Sequence, residues 1–353
     1  MLKTHGGDIY NNEVKLDFSV NINPLGMPDT VKGAIAKAIT HCDQYPDPTC
    51  AKLKQTLAQE FAVKRYDVSE RDILLGNGAS ELFMAIVHAI RPRRAVIPAP
   101  SFSGYEYAMQ AVDGEIAYCL LAEAEGFDPD FCQERLVAML TAETDILFLA
   151  NPNNPTGKLM SEVNVHHLLD HCREQGIFVV MDECFIDFCA DAESALRWVK
   201  KYENLMVVQA FTKIYAIPGL RLGYLVCGNK SLREKIARNL PEWNVSVIAQ
   251  EAGATAARAR AYVTRTQKYV QRQRAFLEAA LTDFGFRVCE SSANFILFYT
   301  ELPLYEMLLK KKILIRDCSN YEGLTQGYYR IAVKREEENR QLLKMIGECI
   351  ENN

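Results

Sequence analysis

Short apolar segments alternate with segments of helical periodicity from about Asp29 to Leu240. This alternation is typical of a mostly parallel sheet with helices packed on its faces. The predicted strands are Ile73–Leu75, Ala95–Pro98, Ile146–Ala150, Ile177–Met181, Met206–Gln209 and Leu222–Val226. The predicted helices between them include Leu53–Phe61, Leu82–Ile90 and Val165–Glu174. The pattern therefore predicts the α/β class, with one doubly wound domain in the middle of the chain.

The pattern changes after Pro241. A long charged helix is predicted over Ala261–Phe284, followed by short strands at Phe295–Phe298, Ile313–Arg316 and Tyr328–Val333 and by a closing helix. This order of elements predicts a smaller α+β domain, and a chain of 353 residues is long enough for about two domains. We expect an N-terminal arm over residues 1–28, a large domain over residues 29–240 and a small domain over residues 241–353.

Composition argues against several classes of protein. The net charge is −5 and there is no basic patch for a polyanion, so a nucleic-acid binder is not indicated. Met1–Tyr10 has no apolar signal segment, and no run approaches the roughly 18 apolar residues that a membrane span needs. We therefore expect a cytoplasmic protein. The 11 cysteines are scattered without a Cys-x-x-Cys pair, so we expect most of them to be buried thiols.

Two histidines on a predicted helix have a spacing that can bind zinc. His167 and His171 are four residues apart, but the glutamate of a metalloprotease motif is missing. We expect a surface helix there and no metal.

Polar residues follow several of the predicted strands, and ligands of open α/β sheets bind beyond the carboxyl ends of the strands. Gly76–Glu81 follows one strand and opens a helix, whose free backbone N–H groups suit a phosphate. Asn151–Gly157 follows another strand and is dense in Asn and Pro. A third strand leads into Asp182, and Lys213 stands eight residues before Arg221 in a Gly/Pro-rich turn. Each feature alone is explained by a turn, a cap or a solvated charge, but together they indicate a cofactor site.

A pyridoxal phosphate cofactor would use all of these groups. It needs an amine for covalent attachment, a carboxylate beside its ring nitrogen, a donor to its phenolic oxygen and a cationic cup for its phosphate. An ordinary lysine, with a pKa of about 10.4, is protonated at neutral pH. The surroundings of Lys213 must therefore favour its neutral amine.

Longer segments resemble fold-type I pyridoxal phosphate enzymes of the aspartate aminotransferase superfamily, over nearly the whole chain. The likeness is closest to the threonine-phosphate decarboxylases, and histidinol-phosphate aminotransferases are the nearest relatives outside that subfamily. The matching segments are His5–Gly7, Asp17–Gly26, Tyr45–Asp47, Thr212–Tyr224, Ile315–Arg316 and Asn320–Tyr321. The resemblance implies a fold with a large cofactor-binding α/β domain and a smaller α+β domain.

The resemblance also implies a role for each cofactor-binding residue. Lys213 would bind pyridoxal phosphate covalently, Asp182 would lie at the pyridine nitrogen, and Asn154 would lie at the phenolic oxygen. The further cofactor contacts implied in this way are Gly78, Ala79, Ser80, Phe102, Thr212 and Arg221. Tyr45 resembles the tyrosine that reaches the cofactor phosphate of the neighbouring subunit, which implies a homodimer with Tyr45 and the N-terminal arm near a shared active site.

Two anion sites for the substrate follow from the same resemblance. Arg330 matches the arginine that binds the substrate carboxylate, which a planar guanidinium can grip with two parallel hydrogen bonds. Arg316, with His5 and Asn23, would bind a second anion, and Asn154 would also contact the substrate. Two anion sites imply a phosphorylated amino acid.

Two positions depart from the pattern that is usual in the superfamily. Ala210 stands where many relatives carry a Ser or Thr that binds the cofactor phosphate, so one hydrogen bond would be missing. Phe185 stands where aminotransferases commonly carry a Tyr that donates to the phenolic oxygen. The phenylalanine resembles the decarboxylases and argues against a standard aminotransferase.

The reaction expected from the resemblance is decarboxylation of L-threonine O-3-phosphate to (R)-1-amino-2-propanol O-2-phosphate, a step of cobalamin synthesis. L-serine O-phosphate is a rival substrate, because a methyl-sized pocket discriminates by only ~1–3 kcal/mol. A histidinol-phosphate-type aminotransferase is the alternative within the superfamily. A regulator that uses the fold to sense the cofactor or amino acids, without catalysis, is the alternative from a different class.

Overall fold

The computed structural model describes residues 6–351, which form three sheets flanked by helices. The strands are β1 (Leu16–Asp17), β2 (Ile73–Gly76), β3 (Arg94–Ala99), β4 (Glu115–Leu120), β5 (Ile146–Ala150), β6 (Phe178–Asp182), β7 (Leu205–Ala210), β8 (Gly223–Cys227), β9 (Arg287–Cys289), β10 (Phe295–Tyr299), β11 (Ile313–Leu314), β12 (Arg316–Asp317) and β13 (Tyr328–Ala332). The α-helices are α1 (Asp29–Ala38), α2 (Ala51–Val63), α3 (Ala79–Ile90), α4 (Gly104–Gln110), α5 (Gln133–Met139), α6 (Glu162–Gln175), α7 (Phe211–Ile214), α8 (Lys230–Ala237), α9 (Val247–Ala257), α10 (Arg260–Asp283), α11 (Leu304–Lys310) and α12 (Glu336–Glu351).

The largest sheet has seven strands in the order β2-β8-β7-β6-β5-β3-β4. Strands β3 to β7 pair in parallel, whereas β8 is antiparallel to both of its neighbours. Every strand that the sequence predicts in this sheet is present, with ends that differ by at most one residue. The predicted α/β class is therefore confirmed.

The central strands are apolar throughout because the sheet lies between two hydrophobic cores. In β5, Leu147 belongs to one core while Phe148 belongs to the other. Val179 and Val180 divide in the same way in β6. Successive side chains of a strand point to opposite faces, so a strand that is covered on both faces carries a continuous apolar run instead of an alternating one.

The sequence patterns missed two elements beside this sheet. The edge strand β4 has several partly exposed residues, so it lacks the continuous apolar run of the central strands. The helix α9 is rich in Ala and Gly and packs against α1 and α2. A methyl group added at Gly253 would collide with Leu222 Cδ2, so the small residues of α9 allow a close approach that hydrophobic periodicity does not reveal.

The C-terminal part of the chain contains a four-stranded antiparallel sheet in the order β12-β13-β10-β9. The sequence predicted one strand over Ile313–Arg316, and that prediction is wrong in one respect. Ile313 and Leu314 pair in parallel with β1, whereas Arg316 and Asp317 pair with β13. The two short strands belong to different sheets, so the chain changes partner at Ile315.

The segment before α1 contacts the C-terminal part of the chain. Besides the pairing of β1 with β11, the Phe18 carbonyl accepts a hydrogen bond of 2.8 Å from the Ala332 N–H. Such contacts suit an N-terminal arm, but the domain boundaries expected at residues 28 and 241 stay predictions. Within residues 6–351, no helix combines the length and the apolar character that crossing a bilayer requires.

The two histidines with zinc-like spacing lie on α6 and make ordinary hydrogen bonds. His167 Nδ1 lies 2.7 Å from Gln133 Nε2, and His171 Nε2 lies 2.8 Å from the Leu140 carbonyl oxygen. His167 is exposed and His171 is half-buried, as on a surface helix.

Candidate active site

A cavity of about 420 Å³ opens where the parallel strands of the large sheet end. Ala150, Asp182 and Ala210, the last residues of β5, β6 and β7, all line it. Ligands bind at this edge in open α/β sheets because the loops beyond the strands diverge there. The sequence-predicted residues that line the cavity are Ala79, Ser80, Phe102, Asn154, Asp182, Thr212, Lys213, Arg221, Arg316 and Arg330.

Lys213 lies on the short helix α7, directly after β7. Burial, together with the nearby Arg330 and Arg221 guanidinium groups, lowers the pKa of its amine from 10.5 to about 8. Within residues 6–351 this amine makes no hydrogen bond or ion pair. A substantial fraction of Lys213 is therefore neutral near pH 8, which is the form that attacks a carbonyl carbon.

Asn23, predicted to bind substrate, lies outside the cavity and holds α7 in place. Its Nδ2 donates to the Ile214 carbonyl oxygen over 2.7 Å and to Thr266 Oγ1 over 2.8 Å, and its backbone N–H donates to the Lys213 carbonyl oxygen over 3.1 Å. Its Oδ1 accepts from the Leu25 N–H over 2.9 Å. These bonds use the polar atoms of the side chain within the protein, so Asn23 positions the lysine-bearing helix.

Asp182 ends β6 with its carboxylate at the cavity. The Tyr105 hydroxyl donates to its Oδ2 over 2.5 Å, and the Cys184 N–H donates to its Oδ1 over 2.9 Å. Burial raises the pKa of Asp182, while these hydrogen bonds oppose the rise because they stabilise the ionised form. A carboxylate held in this way can pair with a protonated ring nitrogen.

The first turn of α3 and Arg221 form a cradle for an anion. Gly78 has φ +86° and immediately precedes Ala79 and Ser80, whose backbone N–H groups stand at the free N-terminal end of the helix. A methyl group added at Gly78 would collide with the Arg221 guanidinium. Glycine is therefore required for the guanidinium to approach the helix end.

Two arginines of the four-stranded sheet face the same cavity. Arg316 and Arg330 are directly opposite each other in the pairing of β12 with β13, and both are buried, with exposed fractions of 7% and 5%. Arg316 Nη2 donates to Asn320 Oδ1 over 2.7 Å. Arg330 donates to Asn154 Oδ1 and, over 2.9 Å, to the Ser19 carbonyl oxygen, while its buried Nε has no partner among residues 6–351.

Neither arginine forms an ion pair with a carboxylate of residues 6–351. Burying a guanidinium without an anionic partner costs free energy. Two buried guanidinium groups without carboxylate partners therefore indicate a ligand that brings the negative charge. Two cations at one cavity fit a ligand with two anionic groups.

The two positions that depart from the superfamily pattern both line the cavity. Ala210 contributes only a methyl group there. Phe185 packs edge-on against Phe295, with ring centroids 5.0 Å apart. Its side chain brings an apolar ring to the cavity and no hydroxyl.

His5 and Tyr45 are the remaining predicted site residues. His5 falls outside the described residues. Tyr45 is 81% exposed and packs on Trp243, with ring centroids 4.9 Å apart, away from the cavity of its own chain. An exposed aromatic pair of this kind is available to a second subunit.

Sequence reasoning missed Tyr105 and Cys184. Both contact Asp182, and Cys184 also lines the cavity. The position of Cys184, two residues after Asp182, was a signal in the sequence. The position of Tyr105 was not, since its contact with Asp182 joins residues that are 77 apart in the chain.

Comparison with known proteins agrees with this geometry. Residues 13–346 match the family described as aminotransferase class I and II. The chain belongs to this family. This chain is 35% identical to the threonine-phosphate decarboxylase of Salmonella typhimurium, over 97% of this chain and 95% of the relative.

Two solved structures share the fold over almost their whole length. The crystal structure of a histidinol-phosphate aminotransferase from Clostridium acetobutylicum has a TM-score of 0.88 at 30% identity and covers 96% of this chain and 100% of that chain. The crystal structure of L-threonine-O-3-phosphate decarboxylase from Porphyromonas gingivalis has a TM-score of 0.83 at 29% identity and covers 95% of this chain and 99% of that chain. The resemblance inferred from the sequence is therefore confirmed.

The donor set of this aminotransferase class I and II chain fits pyridoxal phosphate. The glycine-dependent cradle beside Arg221 suits a phosphate, the buried Asp182 suits a ring nitrogen, and the amine of Lys213 suits an aldehyde. The flat side chain of Phe102 lines the same cavity. All the groups that the cofactor needs therefore occur together in one cavity.

Proposed function

We propose that this chain decarboxylates L-threonine O-3-phosphate to (R)-1-amino-2-propanol O-2-phosphate, with pyridoxal phosphate as its cofactor. The observation that carries the proposal is the pair of buried arginines, Arg316 and Arg330, that face the lysine-bearing cavity without carboxylate partners. The substrate has two anionic groups, a carboxylate and a phosphate. The likeness to threonine-phosphate decarboxylases supports the assignment.

Five kinds of contact would hold the cofactor. Lys213 would bind it covalently, Asp182 would pair with its ring nitrogen, and Asn154 would lie at its phenolic oxygen. The phosphate contacts assigned to this chain are Gly78, Ala79, Ser80 and Arg221. Phe102 would cover the ring, and Thr212 would be a further cofactor contact. When bound, pyridoxal phosphate supplies an aldehyde that bonds to amines and a ring that accepts electrons from a breaking bond at Cα.

Arg330 would decide which bond of the substrate breaks. Its guanidinium can grip the substrate carboxylate at two points, and its own position is fixed by Asn154 and by the Ser19 carbonyl oxygen. Orientation selects the reaction, because only the Cα bond that is perpendicular to the plane of the ring is activated. We assign Arg330 the task of holding the carboxylate in that direction and Arg316 the task of holding the phosphate.

Lys213 would complete the turnover as a proton donor. The carboxylate leaves Cα as carbon dioxide, and the Cα atom then needs a proton. The low pKa of the Lys213 amine, about 8, means that its Nζ can release a proton readily near neutral pH. Without a hydroxyl at Phe185, the site lacks one donor that is common in aminotransferases.

A histidinol-phosphate-type aminotransferase is the second candidate, and a specific observation favours it. The structure of the Clostridium acetobutylicum enzyme has a higher TM-score with this chain than the Porphyromonas gingivalis decarboxylase has. Both candidates use a phosphorylated substrate. The two differ in the group that leaves Cα, a carboxylate in one case and a proton in the other.

One assay separates the candidates. The purified enzyme, supplied with pyridoxal phosphate, is given L-threonine O-3-phosphate, L-serine O-phosphate or L-histidinol phosphate with 2-oxoglutarate, and carbon dioxide and glutamate are both measured. We expect carbon dioxide from threonine phosphate, with slower release from serine phosphate. Glutamate formation from histidinol phosphate without carbon dioxide from either amino acid would reject the proposal in favour of the aminotransferase.

We also propose a homodimer in which Tyr45 of each subunit reaches the cofactor phosphate of the other. The exposure of Tyr45 and Trp243 supports an interface at this place. The cytoplasmic location expected from the sequence stays a prediction.

A further inference from the structure

One buried tyrosine has no place in the proposed reaction. Tyr105 lies on α4, is 0% exposed, and donates its hydroxyl to Asp182 Oδ2 over 2.5 Å. Its ring is fixed on three sides: it stacks on Phe148 with centroids 5.2 Å apart and meets Phe83 and Phe102 edge-on at 5.1 and 5.6 Å. A ring held in this way points its hydroxyl at one place.

Donors reach both oxygens of the Asp182 carboxylate. Tyr105 serves Oδ2, and the Cys184 N–H serves Oδ1 over 2.9 Å. The Cys184 side chain also lowers the pKa of this carboxylate, and it lines the same cavity. Both donors are neutral, so they stabilise the ionised aspartate without pairing its charge, which stays available to a cation in the cavity.

The hydroxyl of Tyr105 is not explained by packing. A phenylalanine would fill the same space between the aromatic rings, and a buried hydroxyl costs free energy unless it makes a hydrogen bond. The only hydrogen bond that the structure shows for this hydroxyl within residues 6–351 is the one to Asp182. The hydroxyl therefore serves the aspartate.

We propose that Tyr105 is a positioning residue that, together with Cys184, holds the Asp182 carboxylate ionised and aimed at the ring nitrogen of the cofactor. Tyr105 also packs on Phe102, so one side chain fixes both the residue beside the ring nitrogen and the aromatic residue assigned to the ring. This inference rests on the proposed cofactor, because it concerns how that cofactor is held.

The test compares Tyr105→Phe with a matched control, Tyr202→Phe. Tyr202 is also 0% exposed, and its hydroxyl donates to a carboxylate, Asp170 Oδ1, over 2.9 Å, outside the cavity. For each purified holoenzyme, the dissociation constant of pyridoxal phosphate is measured by dilution, together with the absorbance spectrum of the bound cofactor and the melting temperature.

We expect Tyr105→Phe to bind pyridoxal phosphate about tenfold more weakly than the wild type, as the loss of one hydrogen bond to a charged group predicts, and to change the spectrum of the bound cofactor. The control should keep the wild-type affinity and spectrum even if its melting temperature falls. Cys184→Ala, which removes a thiol but keeps the backbone donor, should change the affinity in the same direction by a smaller factor.

The measured affinities separate a failure of the proposed function from a failure of the role proposed for Tyr105. If the wild type binds no pyridoxal phosphate, the proposed function fails and not this inference alone. If the wild type binds it and Tyr105→Phe binds it with the same affinity and spectrum, Tyr105 serves only packing and the inference is overturned. If Tyr105→Phe does not fold, Cys184→Ala takes its place, and an unchanged affinity and spectrum for that variant overturns the inference in the same way.

Discussion

The surroundings of the Lys213 amine disfavour its protonated, charged form. Burial and the guanidinium groups of Arg330 and Arg221 lower its pKa from 10.5 to about 8. These surroundings suit a covalent bond to an aldehyde, which removes the positive charge from the cavity. In the protein without cofactor, the same surroundings reduce the stability of the fold.

Replacing Lys213 by methionine should therefore stabilise the cofactor-free protein. The pKa of Lys213 is lower in the folded protein than in the unfolded chain. The free-energy cost of burying its charge is therefore greatest below pH 8, and it disappears as the pH rises through 10.5. At pH 7, Lys213→Met should raise the free energy of unfolding by about 3 kcal/mol, as a shift from 10.5 to about 8 implies. Chemical denaturation of both proteins from pH 7 to pH 10.5 measures the difference, which should shrink towards the alkaline end.

Lys32→Met is the control for this prediction. Lys32 is well exposed and pairs with Asp29 on α1, so its replacement should change the unfolding free energy by less than about 0.5 kcal/mol at any of these pH values. A Lys213→Met protein that is less stable than the wild type at pH 7 would show that the amine is not disfavoured in the cavity.

The sequence predicted most of the residues that the structure brings together at the cavity. Lys213, Asp182 and Arg221 could be placed together because each stands beyond a strand end or beside a Gly-rich turn, and strand ends meet at one edge of the sheet. The hydrogen bond from Tyr105 to Asp182 could not be predicted, since it depends on how α4 packs. Asn23 was placed in a substrate site by its motif, but its amide is used within the protein.

At the scale of elements, the helix α3 is the part of the fold that prepares an anion site. Its N-terminal end faces the cavity because β2 leads directly into it through Gly78, which has φ +86°. The backbone dipoles and free N–H groups of a helix N-terminus favour a negative charge. Arg221 adds a full positive charge at the same place.

Gly78→Ala should damage this site specifically. The new methyl group would collide with the Arg221 guanidinium and would put alanine in a backbone conformation, φ +86° and ψ 167°, that is almost confined to glycine, at a cost of about 1–3 kcal/mol. We expect the affinity for pyridoxal phosphate to fall at least about tenfold, as the loss of a charge-assisted contact predicts. Titration of the cofactor-free protein with pyridoxal phosphate gives the dissociation constant.

Gly176→Ala controls for a methyl group at a positive φ in a place away from the cradle. Gly176 has a similar φ of +74° at the end of α6, but a methyl group there would meet nothing within 4 Å. The control should lose stability and keep its cofactor affinity. Equal affinities for the two variants would show that the first turn of α3 does not hold the phosphate.

The elements that could be predicted are those with a strong apolar signal. The central strands and the long helix α10 appear in the sequence because they bury continuous or periodic apolar runs. The edge strand β4 and the Ala-rich helix α9 lack that signal, and the change of partner at Ile315 follows from tertiary pairing with β1. Local pattern alone does not contain such information.

For the whole molecule, we expect an active site that two subunits share. Tyr45 lies away from the cavity of its own chain, exposed beside Trp243, whereas the proposed homodimer would place it at the cofactor phosphate of the other subunit. Symmetric homodimers with isologous interfaces are the commonest oligomers, and such an interface would bring each Tyr45 to the other subunit.

Mixing two impaired variants tests this arrangement. Lys213→Met lacks the covalent attachment, and Tyr45→Ala lacks the contact from the neighbouring subunit. A hybrid dimer contains one site with both native residues, so random exchange of subunits should restore about a quarter of the wild-type activity at low cofactor concentration. A mixture that is no more active than the average of the separate variants would place Tyr45 outside the neighbour's site.

The central claim is that pyridoxal phosphate is attached to the chain at Lys213. Reduction of the holoenzyme with borohydride fixes the bond between the cofactor and its lysine, and digestion with mass spectrometry locates the labelled peptide. The account predicts a single label on the peptide that contains Lys213 and no label in the Lys213→Met variant. A label on another lysine, or no label after incubation with excess cofactor, would contradict it.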